Sequence, residues 1–239
     1  MRKLVFNLPF VFLLVFLVGC GDLSSEPNNQ IEKARPIQDS WLDNTADQGQ
    51  SLDGNLLRKN FYLVLDCSGS MAGDYGGMSR LDAVKTALSR FLPLVPEDTN
   101  LGLLTFERGG VAEKVPLGVG NRKLIVEAIN RTVADGGTPL STAVSEAYGK
   151  LKIQGKKQLG YGEYHMIILT DGEANLGYDP TSIVNEILSR SSVVIHTIGI
   201  AIGTGHSLNQ PGKTIYKDAA NPKDLEEGLA EIAAESDKF

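Results

Sequence analysis

From residue 60 onward the chain alternates between two apolar patterns. Runs of strand length occupy residues 61–65, 101–106, 166–169 and 193–200. The first, third and fourth are nearly continuous rather than alternating, as expected of strands buried on both faces. Helical spacing separates them. Leu81, Val84, Leu88 and Phe91 line one helix, entered through the capping box Ser79-Arg80-Leu81-Asp82. Leu124, Ile125, Ala128 and Ile129 line a second, with Asn121 as its N-cap. Thr138-Pro139, Asp179-Pro180 and Asn221-Pro222 each read as an N-cap followed by proline at the first helical position. Ile183, Val184, Ile187 and Leu188 follow the second of these pairs, and Leu225, Leu229 and Ile232 the third. Residues 111–117, entered through the turn Arg108-Gly109-Gly110, read as a short antiparallel edge strand. Strands alternating with helices predict an α/β fold over residues 59–237: a doubly wound, mostly parallel sheet flanked by helices.

The N-terminal residues carry a different message. Arg2 and Lys3 precede an apolar run over residues 4–18, interrupted by Asn7 and Pro9. Its length, about 15 residues, falls short of the roughly 20 that span a bilayer as a helix. A positive start, a short apolar stretch and a small residue before a cut form a secretory signal, here residues 1–19. The cut reads Leu17-Val18-Gly19-Cys20 and resembles the lipobox of bacterial lipoproteins. That resemblance implies acylation of Cys20, which then becomes the mature N-terminus and the membrane anchor. It also implies a cell-envelope location facing the periplasm or the exterior. With Gly21 following the cysteine, the location becomes the outer membrane in a Gram-negative organism.

Residues 20–58 show neither period. Their Asp, Asn, Gln, Ser and Gly content reads as a flexible acidic tether, with Trp41-Leu42 as an apolar exception that could dock on the domain or on a partner. Cys20 and Cys67 are the two cysteines; with Cys20 lipidated, no intrachain disulfide forms and the core alone holds the domain. Cys67 reads as a small packed residue. A net charge of −6 and a pI near 5.2 argue against nucleic-acid binding and against electrostatic attachment to an anionic membrane.

In open α/β sheets, ligands collect at the carboxyl ends of the strands. Asp66-Cys67-Ser68-Gly69-Ser70 follows the first apolar run, and Thr170-Asp171-Gly172-Glu173 the third. Gly136-Gly137-Thr138 precedes a helix. Each piece has an ordinary use: a serine cap, a threonine N-cap, an Asp-Gly turn. An aspartate closing a buried strand is different, because its charge must be paired or bound. Two carboxylates and three hydroxyls on one edge point to a metal site: Asp66, Ser68, Ser70, Thr138 and Asp171. All these donors are hard oxygens, which disfavours zinc and copper and suits magnesium or manganese. An EF-hand is excluded, since Met71 and Gly77 stand where that loop needs glycine and glutamate.

Asp66-x-Ser68-x-Ser70, Thr138 and Asp171-Gly172 together resemble the metal-ion-dependent adhesion site of von Willebrand factor A domains. The resemblance implies direct metal contacts from the hydroxyls of Ser68, Ser70 and Thr138. Asp66 and Asp171 would act largely through coordinated waters. It also implies a coordination position open to an acidic side chain of a protein partner, and hence binding rather than catalysis. The alternatives are a metal-dependent hydrolase or phosphatase, and a scaffold with a structural metal. Against a phosphatase, Ser68 stands where a second aspartate is needed. No Gly-x-Ser-x-Gly elbow occurs. Pro211-Gly212-Lys213-Thr214 resembles a P-loop tail, but Ser207 occupies the first glycine position and a short strand follows. His165, His196 and His206 are too scattered to suggest a ligand set, and His196 reads as a core residue.

Overall fold

The computed structural model describes residues 51–108 and 110–236; the signal segment, Cys20, Trp41 and most of the tether lie outside the described residues. A six-stranded sheet forms the centre, in the order β5-β4-β1-β6-β7-β8. The strands are β1 (Lys59–Asp66), β4 (Asn100–Glu107), β5 (Gly110–Gly118), β6 (Glu163–Thr170), β7 (Val193–Ile200) and β8 (Ile215–Ala219). All neighbours run parallel except β4 and β5, an antiparallel hairpin. The edge strand β5 spans nine residues, longer than the pattern predicted, and it accommodates Pro116 where an edge position leaves no ladder donor to lose. A two-stranded hairpin, β2 (Asp74–Tyr75) and β3 (Met78–Ser79), stands apart. Gly76 and Gly77, at φ 66° and 91°, supply the paired positive φ values that its two-residue turn requires.

Side-chain alternation along β1 divides the core. Phe61, Leu63 and Leu65 pack with Leu81, Leu88, Ile125 and Leu229, from α1 (Arg80–Phe91), α2 (Arg122–Asn130) and α5 (Pro222–Ser236). Tyr62 and Val64 pack on the opposite face with Leu140, Val144, Val184 and Ile187, from α3 (Leu140–Lys157) and α4 (Thr181–Arg190). Seven of the eight β1 residues are buried, which explains the unbroken apolar run.

The caps divide into two groups. Ser79 accepts from Asp82 N at 3.0 Å, and Asn221 Oδ1 accepts from Lys223 N and Asp224 N. Asp179 Oδ1 accepts from Thr181 N at 2.7 Å, so that cap holds with Pro180 between it and the helix. Asn121 is a correction. Its amide donates to Leu101 O and Pro116 O, at 2.9 and 2.8 Å, and ties β4 to β5 instead of capping α2. Thr138 is another: α3 begins at Leu140 with Pro139 before it, so the threonine stands one position too early to cap.

At the amino ends of the strands, residues 53–58 fold back onto the domain. Asp53 N donates to Lys157 O at 3.0 Å. The Asp53 carboxylate accepts from Asn55 N, Arg58, Gln154 and Asn100. Burial works against its charge, yet these donors and the Arg58 guanidinium hold it below the usual carboxylate range. The last residues of the segment read as tether thus contact the base of the sheet.

His196 is buried on β7, with Nε2 3.1 Å from Nδ1 of His165. Burial, then the neighbouring imidazole, push its pKa down to about 3. Burial lowers that of His165 too, against Glu163, whose carboxylate is 3.6 Å away. In the unfolded chain both rings take up protons below about pH 6.5, whereas the folded state refuses them. The pair's contribution to stability is therefore constant above that pH and falls below it, with His196 contributing up to about 1.4 kcal/mol per pH unit and His165 acting in the same direction. Urea unfolding of the His196→Gln variant is expected to show a shallower loss of stability between pH 6.5 and 5 than the unaltered chain. Equal slopes would show that the pair does not control the acid limb.

Candidate functional site

β1, β4 and β6 run in register, pairing Asp66 with Phe106 and Leu65 with Leu169. Asp66 and Thr170 therefore end neighbouring strands on one edge, and Asp171 is the next residue. Three loops meet there. Gly69 N donates to Gly136 O at 3.1 Å, and Asp135 N to Cys67 O at 2.8 Å, joining the first loop to the second. Asn175 N donates to Thr138 O at 3.0 Å, while Asn175 Oδ1 accepts from Thr138 N, joining the second to the third. Gly136 holds φ 95°, and a Cβ there would sit 3.0 Å from the backbone of Glu107 and Arg108, so only glycine lets this loop lie against the end of β4.

A chain of short hydrogen bonds runs through this frame. Asp66 Oδ1 accepts from Ser68 N at 2.7 Å, and its Oδ2 from the Thr170 hydroxyl at 2.6 Å. The hydroxyls of Ser68 and Ser70 are 3.0 Å apart, and Ser70 Oγ donates to Asp171 Oδ1 at 2.6 Å. Arg80 Nη1 donates to Asp171 Oδ2, also at 2.6 Å. Of the five residues singled out in the sequence, Asp66, Ser68, Ser70 and Asp171 are linked directly. Thr138 reaches them through its loop: both its backbone groups bond Asn175, and among the described residues no hydrogen bond joins its hydroxyl to the other four. Asp66, Ser68, Thr138 and Asp171 are buried, whereas Ser70 is exposed and marks the open side.

Sequence reasoning missed four contributors. Thr170 holds the inner carboxylate, Arg80 pairs with the outer one, and Asn175 fastens two loops together. His206 is the fourth. Its Nδ1 accepts from Leu208 N at 3.0 Å, which leaves the proton on Nε2 to donate to Gly172 O at 3.0 Å. The one available signal was Thr170, a hydroxyl beside a strand-ending aspartate; the rest depend on tertiary contacts across 30 residues or more.

The electrostatics of Asp66 are unusual. Its side chain is fully buried, and among the described residues no lysine or arginine pairs with it. Burial pushes its carboxyl up to about 6, against the lowering effect of its bonds from Ser68 and Thr170 and with a smaller push from the charge of Asp171. A cation on the open side would offset that cost. The donors nearby are carboxylate and hydroxyl oxygens, a set that fits a hard divalent ion. Cys67, in the same loop, is fully buried, and burial drives its thiol up to about 12, so it is a packed residue and no nucleophile.

The comparisons with known proteins agree with this fold. A family model described as the von Willebrand factor type A domain matches residues 60–239. The chain belongs to that family. YwmC of Bacillus subtilis, an uncharacterised protein, is 26% identical over 185 residues, covering 70% of this chain and 79% of its own. The pilus adhesin SpaC of Lactobacillus rhamnosus GG aligns with a TM-score of 0.59 at 18% identity, over 78% of this chain and 31% of the adhesin. A manganese-loaded TRAP protein of Plasmodium vivax aligns with a TM-score of 0.55 at 21% identity, over 73% of this chain and 72% of that one. At such identities the two structures attest the fold alone. In this von Willebrand factor type A domain the Asp-x-Ser-x-Ser loop, the threonine loop and the Asp-Gly loop stand together at one sheet edge.

Removing the Thr170 hydroxyl leaves Asp66 Oδ2 buried without its donor. Thr170→Val is expected to cost about 1–3 kcal/mol in urea unfolding at pH 7.5 in the presence of chelator. A loss below about 0.5 kcal/mol, within the range of neutral substitutions, would show that the bond does not support the site.

Proposed function

We propose that this domain binds an acidic group of a partner protein through magnesium or manganese, and that a lipid on Cys20 holds it at the bacterial cell envelope. The observation that carries the reading is the fully buried carboxylate of Asp66, which pairs with no lysine or arginine among the described residues, beneath the exposed Ser70. Ser68, Ser70 and Thr138 would hold the ion through their hydroxyls, with Asp66 and Asp171 as charged partners behind them. When bound, the ion supplies a positive centre that a partner carboxylate can approach. The chain's own residues do the rest. The three cross-bonded loops fix the oxygens, the buried β1 end keeps water from the inner side, and Ser70 leaves the outer side open.

Binding, rather than turnover, follows from what these residues can do. The carboxylates are engaged with hydroxyls, a backbone N–H and a guanidinium, and the nearby thiol is buried and protonated. The placement of residues 53–58 supports the same reading. Residues 53–58 contact the amino ends of β1 and β4, through Asn60 and Asn100, while the site lies at the carboxyl ends. An eight-residue strand separates the two by roughly 25 Å. Residues 53–58 and the site thus lie at opposite ends of β1, and the carboxyl ends are left clear of that segment.

Thermal unfolding of the full chain carrying Cys20→Ser tests the metal. At about 100 times its dissociation constant, magnesium or manganese is expected to add roughly 2.7 kcal/mol, and Asp66→Ala is expected to abolish the increment. Equal melting temperatures with metal and with chelator would overturn the reading. A pull-down from envelope extracts follows, with capture lost in chelator and in Asp66→Ala; capture indifferent to both would place partner binding elsewhere.

The anchor has its own test. Cys20→Ser is expected to shift the protein from the membrane pellet to the soluble fraction. Retention in the pellet after a high-salt wash would overturn the lipid anchor without touching the metal reading.

A further inference from the structure

Arg80 brings a guanidinium to a site whose other groups are oxygen donors. Its Nη1 donates to Asp171 Oδ2 at 2.6 Å and lies 3.3 Å from Ser70 O. The Asp171 side chain is wholly buried, so this pair is not a surface contact free to come and go with solvent. The fold makes room for it. A Cβ on Gly73 would press on Ser70 O at 3.1 Å, the same carbonyl that Arg80 Nη1 approaches, and would touch Arg80 Cζ and Nη1 at 3.4 Å. Arg80 N donates to Gly73 O at 3.0 Å, and the Ser79 cap fixes the start of α1, so the side chain leaves the first helical turn directly over the Ser68–Ser70 loop. Arg80 Nε is buried, with no hydrogen-bond partner among the described residues. The guanidinium is thus held by its charge contact with Asp171, and not by a complete set of hydrogen bonds.

We propose that Arg80 is a tethered counter-ion: it neutralises Asp171 while no metal is bound, and competes with the metal for that carboxylate. The proposal rests on the metal reading above. Asp171 has two oxygens, one taken by Ser70 Oγ and the other by Arg80. A divalent ion seated on the Ser68 and Ser70 hydroxyls draws on the same carboxylate and meets a fixed positive charge beside it. The arginine therefore lets the domain fold with Asp171 paired, and it lowers affinity for the ion. Metal occupancy, and with it partner binding, becomes responsive to the metal supply instead of being permanent.

The test uses the full chain carrying Cys20→Ser, with melting temperature in chelator and manganese affinity by titration calorimetry as readouts. Arg80→Gln is expected to lower the melting temperature in chelator and to tighten manganese binding by about tenfold or more, as the loss of a neighbouring like charge demands. Arg80→Lys keeps the charge and is expected to leave the affinity within about threefold. In an Asp171→Asn background, Arg80→Gln is expected to have no further effect on stability in chelator. Manganese affinity that falls or stays unchanged in Arg80→Gln overturns the proposal, because the arginine would then orient Asp171 for the ion or be inert toward it. Failure of the unaltered chain to bind manganese overturns the metal reading and this inference together.

Discussion

The arrangement depends on a carboxylate placed at the end of a strand buried on both faces of the sheet. β1 has neighbours on both sides and helices on both faces, so whatever residue ends it is taken out of water. For an aspartate that is costly, and the cost appears in the raised pKa of Asp66. The surrounding structure can be understood as a response. Thr170 and Ser68 N supply donors, the three loops are fastened by backbone bonds, and Gly136 lets the second loop approach the end of β4. None of these supplies a full positive charge to Asp66, and the proposed cation would do so.

Much of this was legible in the order of residues, for physical reasons. Strands buried on both faces leave unbroken apolar runs, and parallel connections place the ends of β1 and β6 on one edge. The three loops therefore fall on a common edge by sequence alone. The β2–β3 hairpin was not legible, because two-residue strands contain no period to detect; its Gly76-Gly77 turn was the remaining sign. Asn121 and Thr138 sit where caps sit in sequence, but tertiary demands overrode that preference. Asn121 found two strand carbonyls, and Thr138 was drawn into a loop pairing with Asn175. Arg80 was visible as an ordinary residue of a capping box, and its contact with Asp171, 91 residues away, follows from the fold alone.

Two aspartates at opposite ends of the sheet, Asp53 half-buried and Asp66 fully buried, make the clearest contrast. Asp53, at the amino ends, receives a guanidinium, two side-chain amides and a backbone N–H, and its pKa is lowered. Asp66, at the carboxyl ends, receives one hydroxyl and one backbone N–H, and its pKa is raised. The same fold thus satisfies one carboxylate completely and leaves the other short of charge. A fully paired carboxylate fixes structure; it holds residues 53–58 against the base of the domain and has no capacity left for a ligand. An underpaired one costs stability in every copy of the protein. Had compensation by the chain been the only requirement, a second arginine or an asparagine would meet it at less cost. The asymmetry between the two ends is therefore the physical ground for proposing ligand binding at Asp66, while Asp53 holds residues 53–58 in place.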